Sequence, residues 1–433
     1  MPVTGAALIF LTLGSIALLL FLILVVKLHA FLALLIASMA LGLAAGMPAP
    51  AVLKSIQAGF GEALGFIAVV IGLGAMIGRL VEHSGGGSAV ANWMLGKFGR
   101  ERARWAVLIT ALLVGLPLFF EVGFIILAPL AWSLARESRR SLLYFGLPIA
   151  AALSATHSLV PPHPAPAAAA QLLGADLGLT ILYGLAVSIP AAILGGIVYG
   201  GWIAKRMFVP VPAMAVQPET DASGQPAPPV ALVILILLLP VLMILAARNG
   251  LFGHPFTALL VTALAAMLLL GFRRGLDRAA LLRLVTDSLA PIGTLLVIIG
   301  GGGAFKQVIV DSGVGPYLGG ALAQSHISPL LVAYLTAAAL RVAQGSATVA
   351  IITAAGIIAP LVKSIPGYRP EMIVLAVCCG GTVLSHVNDA GFWLVNEYFG
   401  MTVTQTLRTW TVMKVITSLA GLALVMAAQA LFG

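Results

Sequence analysis

Residues 5–26, GAALIFLTLGSIALLLFLILVV, carry no charged side chain, and residues 230–247, VALVILILLLPVLMILAA, repeat the pattern. A helix needs roughly 18 or more apolar residues to cross hydrocarbon. Lipid offers no water to exposed N–H and C=O groups, so a crossing segment must close its own hydrogen bonds as a helix or join a closed barrel. These runs are continuous and do not alternate, which selects helices. Similar runs fill the chain: 61% of its 433 residues are hydrophobic and 9% charged, with mean hydropathy +1.11. Soluble domains carry roughly a quarter charged residues. The chain therefore reads as an all-α polytopic membrane protein embedded in a lipid bilayer. The first run lacks a basic leader and a cleavage site, so it is expected as a first span and not as a removable signal.

The net charge of +9 sits in short connections and is no signal for nucleic acid. Lys27, the group Lys97/Arg100/Arg102/Arg104, the group Arg136/Arg139/Arg140 and Lys205/Arg206 are expected on the cytoplasmic side. Residues 105–135 then begin and end on that side, yet about 31 residues cannot make two full crossings. A re-entrant hairpin is expected there, its tip within GLPLFFEVGF (115–124). Residues 144–172 contain THSLVPPHPAPAAAAQ (156–171), where Pro161, Pro162, Pro164 and Pro166 must interrupt any helix. The Pro/Ala-rich segment 208–229 reads as a cytoplasmic linker between residues 1–207 and 230–433.

The second part repeats the first. Shifted by 228, Gly65, Gly72, Gly74, Ser84, Gly85 and Gly87 fall on Gly293, Gly300, Gly302, Ser312, Gly313 and Gly315. The same shift carries the hairpin tip 117–123 onto GSATVAI (345–351), and His157-Ser158 onto Ser385-His386. A second hairpin is expected over about 328–362 and a second broken helix over about 371–395. Counting crossings before the linker gives an odd number, so the repeats are expected to be inverted, the plan of many secondary transporters. A broken helix frees backbone groups that hydrocarbon penalises, so it is expected to line a cavity.

An ionisable group at membrane depth costs about 3 kcal/mol or more, and each one therefore needs a reason. Glu121 in the first hairpin and Asp389 in the second broken helix are the expected proton-coupling carboxylates. The bland alternative for Glu121 is a helix-capping acid. The first broken helix offers Thr156, His157, Ser158 and His163 to a substrate, although His and Ser also serve as glue between helices. The second hairpin offers Arg341, Gln344, Gly345, Ser346 and Thr348; Arg341 can clamp a carboxylate or act as a structural, snorkelling cation. The second break offers Thr382, Ser385, His386 and Asn388. Hydroxyls, amides and imidazoles around a helix N-terminus suit a small hydroxylated anion. Gly300 to Gly303 lack the Lys-Ser/Thr of a phosphate loop and read as close packing or local unwinding. Cys378 and Cys379 read as small core residues. Metalloenzyme and hydrolase motifs are missing, so neither a metal, a cofactor nor a catalytic group is expected.

PLFFEVGFIILAPL (117–130), LVPPHPAPAAAAQLLGADLGLTILYG (159–184), RVAQGSATVAIITAAGIIAP (341–360) and LSHVNDAGFWLVNEYFGMT (384–402) resemble diagnostic stretches of the gluconate permease family. That resemblance spans essentially the whole chain. It implies a bacterial inner-membrane symporter taking protons and gluconate, or a related sugar acid, and within the wider ion transporter superfamily an elevator-type movement and often a homodimer. Similar members carry D-serine, idonate, fructuronate and glycerate. A passive channel or a cation/proton antiporter is the alternative from another class. One departure follows TLRTW (406–410): where the family resemblance implies an acidic residue, TVMKVI (411–416) places Lys414. Lys414 is expected near the inner end of the last helix, away from the site.

Overall fold

The computed structural model describes residues 6–99, 101–212, 227–246, 250–313, 327–362, 367–387 and 389–432. Asn388 and residues 213–226 of the linker lie outside the described residues. The first half runs α1 (Ala6–Leu24), α2 (Ala30–Ala44), α3 (Ala49–His83), α4 (Gly86–Phe98), α5 (Ala103–Val114), α6 (Phe120–Ser138), α7 (Leu143–Leu159), α8 (Pro164–Leu173) and α9 (Leu177–Ala204). The second runs α10 (Val230–Ala246), α11 (Pro255–Arg274), α12 (Arg278–Asp287), α13 (Gly293–Asp311), α14 (Pro329–Gln344), α15 (Ala347–Val362), α16 (Pro370–Thr382), α17 (Ala390–Tyr398) and α18 (Val403–Leu431). The unbroken apolar runs thus form helices, and no strand occurs among the described residues. Among the described residues, five stretches are long and apolar enough to cross a bilayer: α3, the α7–α8 pair, α9, α11 and α18.

Element order recurs. Helices α5 to α9 and α14 to α18 follow one another with similar breaks. Both α3 and α13 end in a serine followed by a left-handed glycine, Gly85 at φ +72° and Gly313 at φ +78°. Glycine is the residue for that conformation because it has no Cβ to clash. Helix α4 opens at Gly86, with the left-handed Gly85 as its N-cap.

Glycine also sets the approach of α3 to α13. A Cβ on Gly59 would lie 2.3 Å from the Gly303 carbonyl oxygen, and one on Gly303 would lie 2.4 Å from that of Gly59. Two bare backbones can meet this closely where any side chain would separate them. The Gly300–Gly303 run therefore serves packing, inside a continuous helix and without unwinding.

At the centre lie α7 and α16. All of α7 but Tyr144 and His157 is buried, and every residue from Glu371 to Thr382 is buried, Cys378 and Cys379 included. Around them pack α5, α6, α8, α9, α14, α15 and α18. The first interruption is sheathed by protein, which replaces the environment in which freed backbone groups would be costly. At the second, Ser385 is buried while Leu384 and Val387 are exposed.

Candidate functional site

Each half supplies one hairpin tip and one helix interruption. In the first, α5 ends at Val114, Gly115 to Phe119 turn the chain, and α6 opens with Glu121 in its first turn. Helix α7 stops at Leu159 before Pro161 and Pro162, and α8 restarts with Pro164 at its first position, where a missing N–H costs nothing. In the second half, α14 ends on Gly345 at φ +82°, a left-handed cap. Ser346 Oγ then accepts from the Val349 amide at 3.3 Å and starts α15. After α16 the chain is non-helical from Val383 to Val387, and the Asp389 carboxylate caps α17 by accepting from the Gly391 amide at 3.1 Å.

These four ends enclose a cavity of about 280 Å³, near the lower end for small-molecule sites. Its wall takes Phe120 and Glu121 from α6, Ser154, His157 and Ser158 from α7, Arg341 from α14 and the open end of α15 at Ser346 to Thr348. Asp389 to Gly391 and, from α18, Trp410 and Lys414 complete it. A second cavity of about 460 Å³, by Gln171, Asp176 and His254, is larger but shows no lysine or arginine among the described residues of its wall. Size favours that one; chemistry favours the smaller, because an anion needs a cation or free amides.

Arg341 is 1% exposed. Its guanidinium donates to Asp389 Oδ2 and to the Gly345 carbonyl, while Nε has no partner among the described residues. Asp389 also accepts from Ser385 Oγ. Ser385 in turn receives the Trp410 indole N–H at 2.7 Å, and its carbonyl receives Thr411 Oγ1. The second break is thereby tied to α14 and α18 at once. Trp410 packs its ring 5.2 Å from Phe120, closing one end of the cavity.

Of the residues expected from sequence, Glu121, His157, Ser158, Arg341, Gly345, Ser346, Thr348 and Asp389 meet at this wall. Others stand outside it. Thr156 bonds back to the Ala152 and Leu153 carbonyls of its own helix at 3.0 and 3.1 Å. His163 donates Nε2–H to the Gly115 carbonyl at 2.6 Å, pinning the first break to the first hairpin tip. Its ring lies 4.8 Å from that of His157, one layer behind. Thr382 and Ser385 support wall residues without lining the cavity. His386 is half-buried, stands outside the cavity wall and donates to the Val342 carbonyl at 3.1 Å. The side chain of Gln344 and all of Asn388 lie outside the described residues.

Lys414 corrects an expectation. It lines the cavity instead of lying away from it, because α18 begins at Val403 and puts Lys414 roughly 16 Å along the helix. It is 4% exposed and donates to Ser154 Oγ of α7 and Thr382 Oγ1 of α16. Phe120, Ser154, Ala347, Ala390, Gly391, Trp410 and Lys414 are the wall residues that the sequence reading missed. A lysine inside an apolar span was itself the available signal.

Residues 6–431 match the family described as GntP family permease. A gluconate permease of Pseudomonas aeruginosa is 45% identical over 422 residues, 92% of each chain. The high-affinity gluconate transporter of Escherichia coli K12 is 41% identical, over 94% of this chain and 96% of that one. The Gnt-II system L-idonate transporter of the same organism is 40% identical, over 96% and 98%. Among solved structures, the Alcanivorax borkumensis YdaH transporter superposes with TM-score 0.67 at 14% identity, covering 88% of this chain and 89% of its own. Neisseria gonorrhoeae MtrF gives 0.63 at 18%, covering 86% and 83%. At such identities these two share the fold alone.

Proposed function

The chain belongs to the GntP permease family, and from that premise we propose that it takes up gluconate or a closely related sugar acid with protons, by alternating access. Membership makes it a multi-pass membrane transporter and not an enzyme. The carrying observation is the cavity where both hairpins and both interrupted helices converge. Its wall offers hydroxyls on Ser158, Ser346 and Thr348, and it leaves His157 Nδ1 and Arg341 Nε buried without partners among the described residues. Unsatisfied buried groups of this kind are costly until something polar fills the space. A polyhydroxylated acid is such a filling, and the relatives named above for gluconate and L-idonate supply the substrate class.

For coupling, the two carboxylates take different parts. Asp389 is held by Arg341, Ser385 and the Gly391 amide, so its charge is already answered. Glu121 opens into the cavity and enters no ion pair among the described residues. Glu121 is therefore the better-placed proton carrier, with Asp389 shaping the site. The recurring element order and the paired Gly85 and Gly313 ends support two repeats, which we take as inverted, spanning 1–207 and 230–433. The α2–α3–α13 packing provides a frame against which the central bundle would move, and a homodimer would anchor that frame.

Uptake of labelled gluconate into proteoliposomes with an imposed pH gradient tests this. Inward-directed protons should drive accumulation above equilibrium, and idonate, fructuronate, glycerate and D-serine should compete in an order that ranks the true substrate. A channel would equilibrate gluconate without concentrating it. A cation/proton antiporter would ignore it, and either result would sink the reading.

A further inference from the structure

Three charged side chains besides Glu121 face the cavity, and they do not balance. Arg341 and Asp389 neutralise one another in a direct contact. Lys414 is 4% exposed, and no carboxylate among the described residues lies within ion-pair distance of its Nζ. Two of its three donors go to Ser154 and Thr382, leaving one. The Trp410 ring at 5.5 Å offers a weak cation–π contact, near the limit for such interactions. An ammonium at this depth answered only by neutral hydroxyls is a cost that an incoming anion would relieve.

Its position adds a second argument. Ser154 and Thr382 are equivalent under the 228-residue shift that relates the two halves. Lys414 therefore joins the two interrupted helices where they face one another, at the edge of the cavity that both breaks create.

We propose that Lys414, and not Arg341, receives the carboxylate of the substrate. Ser154 and Thr382 act as positioning residues that hold the ammonium toward the cavity. The hydroxyls of Ser346, Thr348 and Ser158 are left for the polyol tail. One unanswered cation matches one carboxylate, so the site selects polyhydroxy monocarboxylates over the corresponding dicarboxylates. This rests on the sugar-acid reading above and names the chemistry of that site more narrowly.

Titration calorimetry on the purified full-length protein tests it, with gluconate and glucarate as probes. The wild type should bind gluconate and bind glucarate at least tenfold more weakly. Lys414→Gln should weaken gluconate about 30-fold or more, as expected when one partner of a buried, hydrogen-bonded charge pair is removed. Should Lys414→Gln fail to give a monodisperse protein, Ser154→Ala combined with Thr382→Val keeps the lysine but frees it, and should weaken gluconate about tenfold. Gluconate affinity within threefold of wild type in either variant overturns the assignment. Equal affinity for glucarate and gluconate overturns the one-cation rule. Absence of gluconate binding to the wild type condemns the sugar-acid reading instead, which keeps the two failures distinct.

Discussion

Removing Asp389 should harm the protein far more than removing the arginine it meets. Arg341 is 1% exposed, and without Asp389 its guanidinium keeps only the Gly345 carbonyl, with Nε still unpartnered. Stranding a buried charge costs about 3–5 kcal/mol, or a shift of more than a hundredfold in the folded-to-unfolded ratio. The reverse deletion is gentler. In Arg341→Met, Asp389 keeps Ser385 Oγ and the Gly391 amide, and its side chain, 16% exposed, faces a cavity that water can enter. The loss there should be about 1.5–3 kcal/mol, the worth of a hydrogen bond to a charged group. Joining Arg341→Met to Asp389→Leu removes the stranded charge, so the double variant should be more stable than Asp389→Leu alone. Equilibrium unfolding of the four proteins in detergent, by SDS titration with circular dichroism, reads this cycle. Equal losses from the two single changes, with the double additive to within about 0.5 kcal/mol, would refute the reasoning.

Two further outcomes follow from the same geometry. Gly380→Ala would place a methyl carbon 2.1 Å from the Tyr334 carbonyl oxygen, about 1.3 Å (3.4 − 2.1) inside ordinary contact. Helices α14 and α16 must then separate at a cost of about 1–3 kcal/mol, visible as a lower Tm in a thermal-shift assay, whereas an unchanged Tm would mean the two backbones are not so close. Glu121→Gln should abolish gluconate accumulation under a pH gradient and spare gluconate counterflow between loaded and unloaded vesicles, and undiminished accumulation would exclude Glu121 from coupling.

Much of the breakage in these helices could be read in advance because it is local. Proline at 161, 162 and 164 removes donors and fills space at the break itself, and Gly345 supplies the one backbone conformation that ends α14. Facing direction is another matter. Helix α7 is buried almost all round, so it has no polar face to set against an apolar one. Nothing in its composition says that Ser154, His157 and Ser158 face the cavity while Thr156 turns back on its own helix. Lys414 was misplaced for a related reason. Its depth depends on where α18 begins, and the Thr402 capping box that starts the helix lies far back in the chain from the lysine. Position along a membrane span is a sum over residues, and an error at the start carries to every later one.

Whether the sugar acid sits in this cavity can be measured by protection of a single cysteine. Cys378 and Cys379 are wholly buried, so Ser346→Cys adds one reactive thiol at the wall. Labelling with an anionic methanethiosulfonate should be slowed by gluconate, with a midpoint equal to its Kd, while a cysteine at the exposed Leu251 should be indifferent. If Ser346→Cys still transports gluconate but labels at the same rate with and without it, the substrate binds elsewhere and the account is wrong.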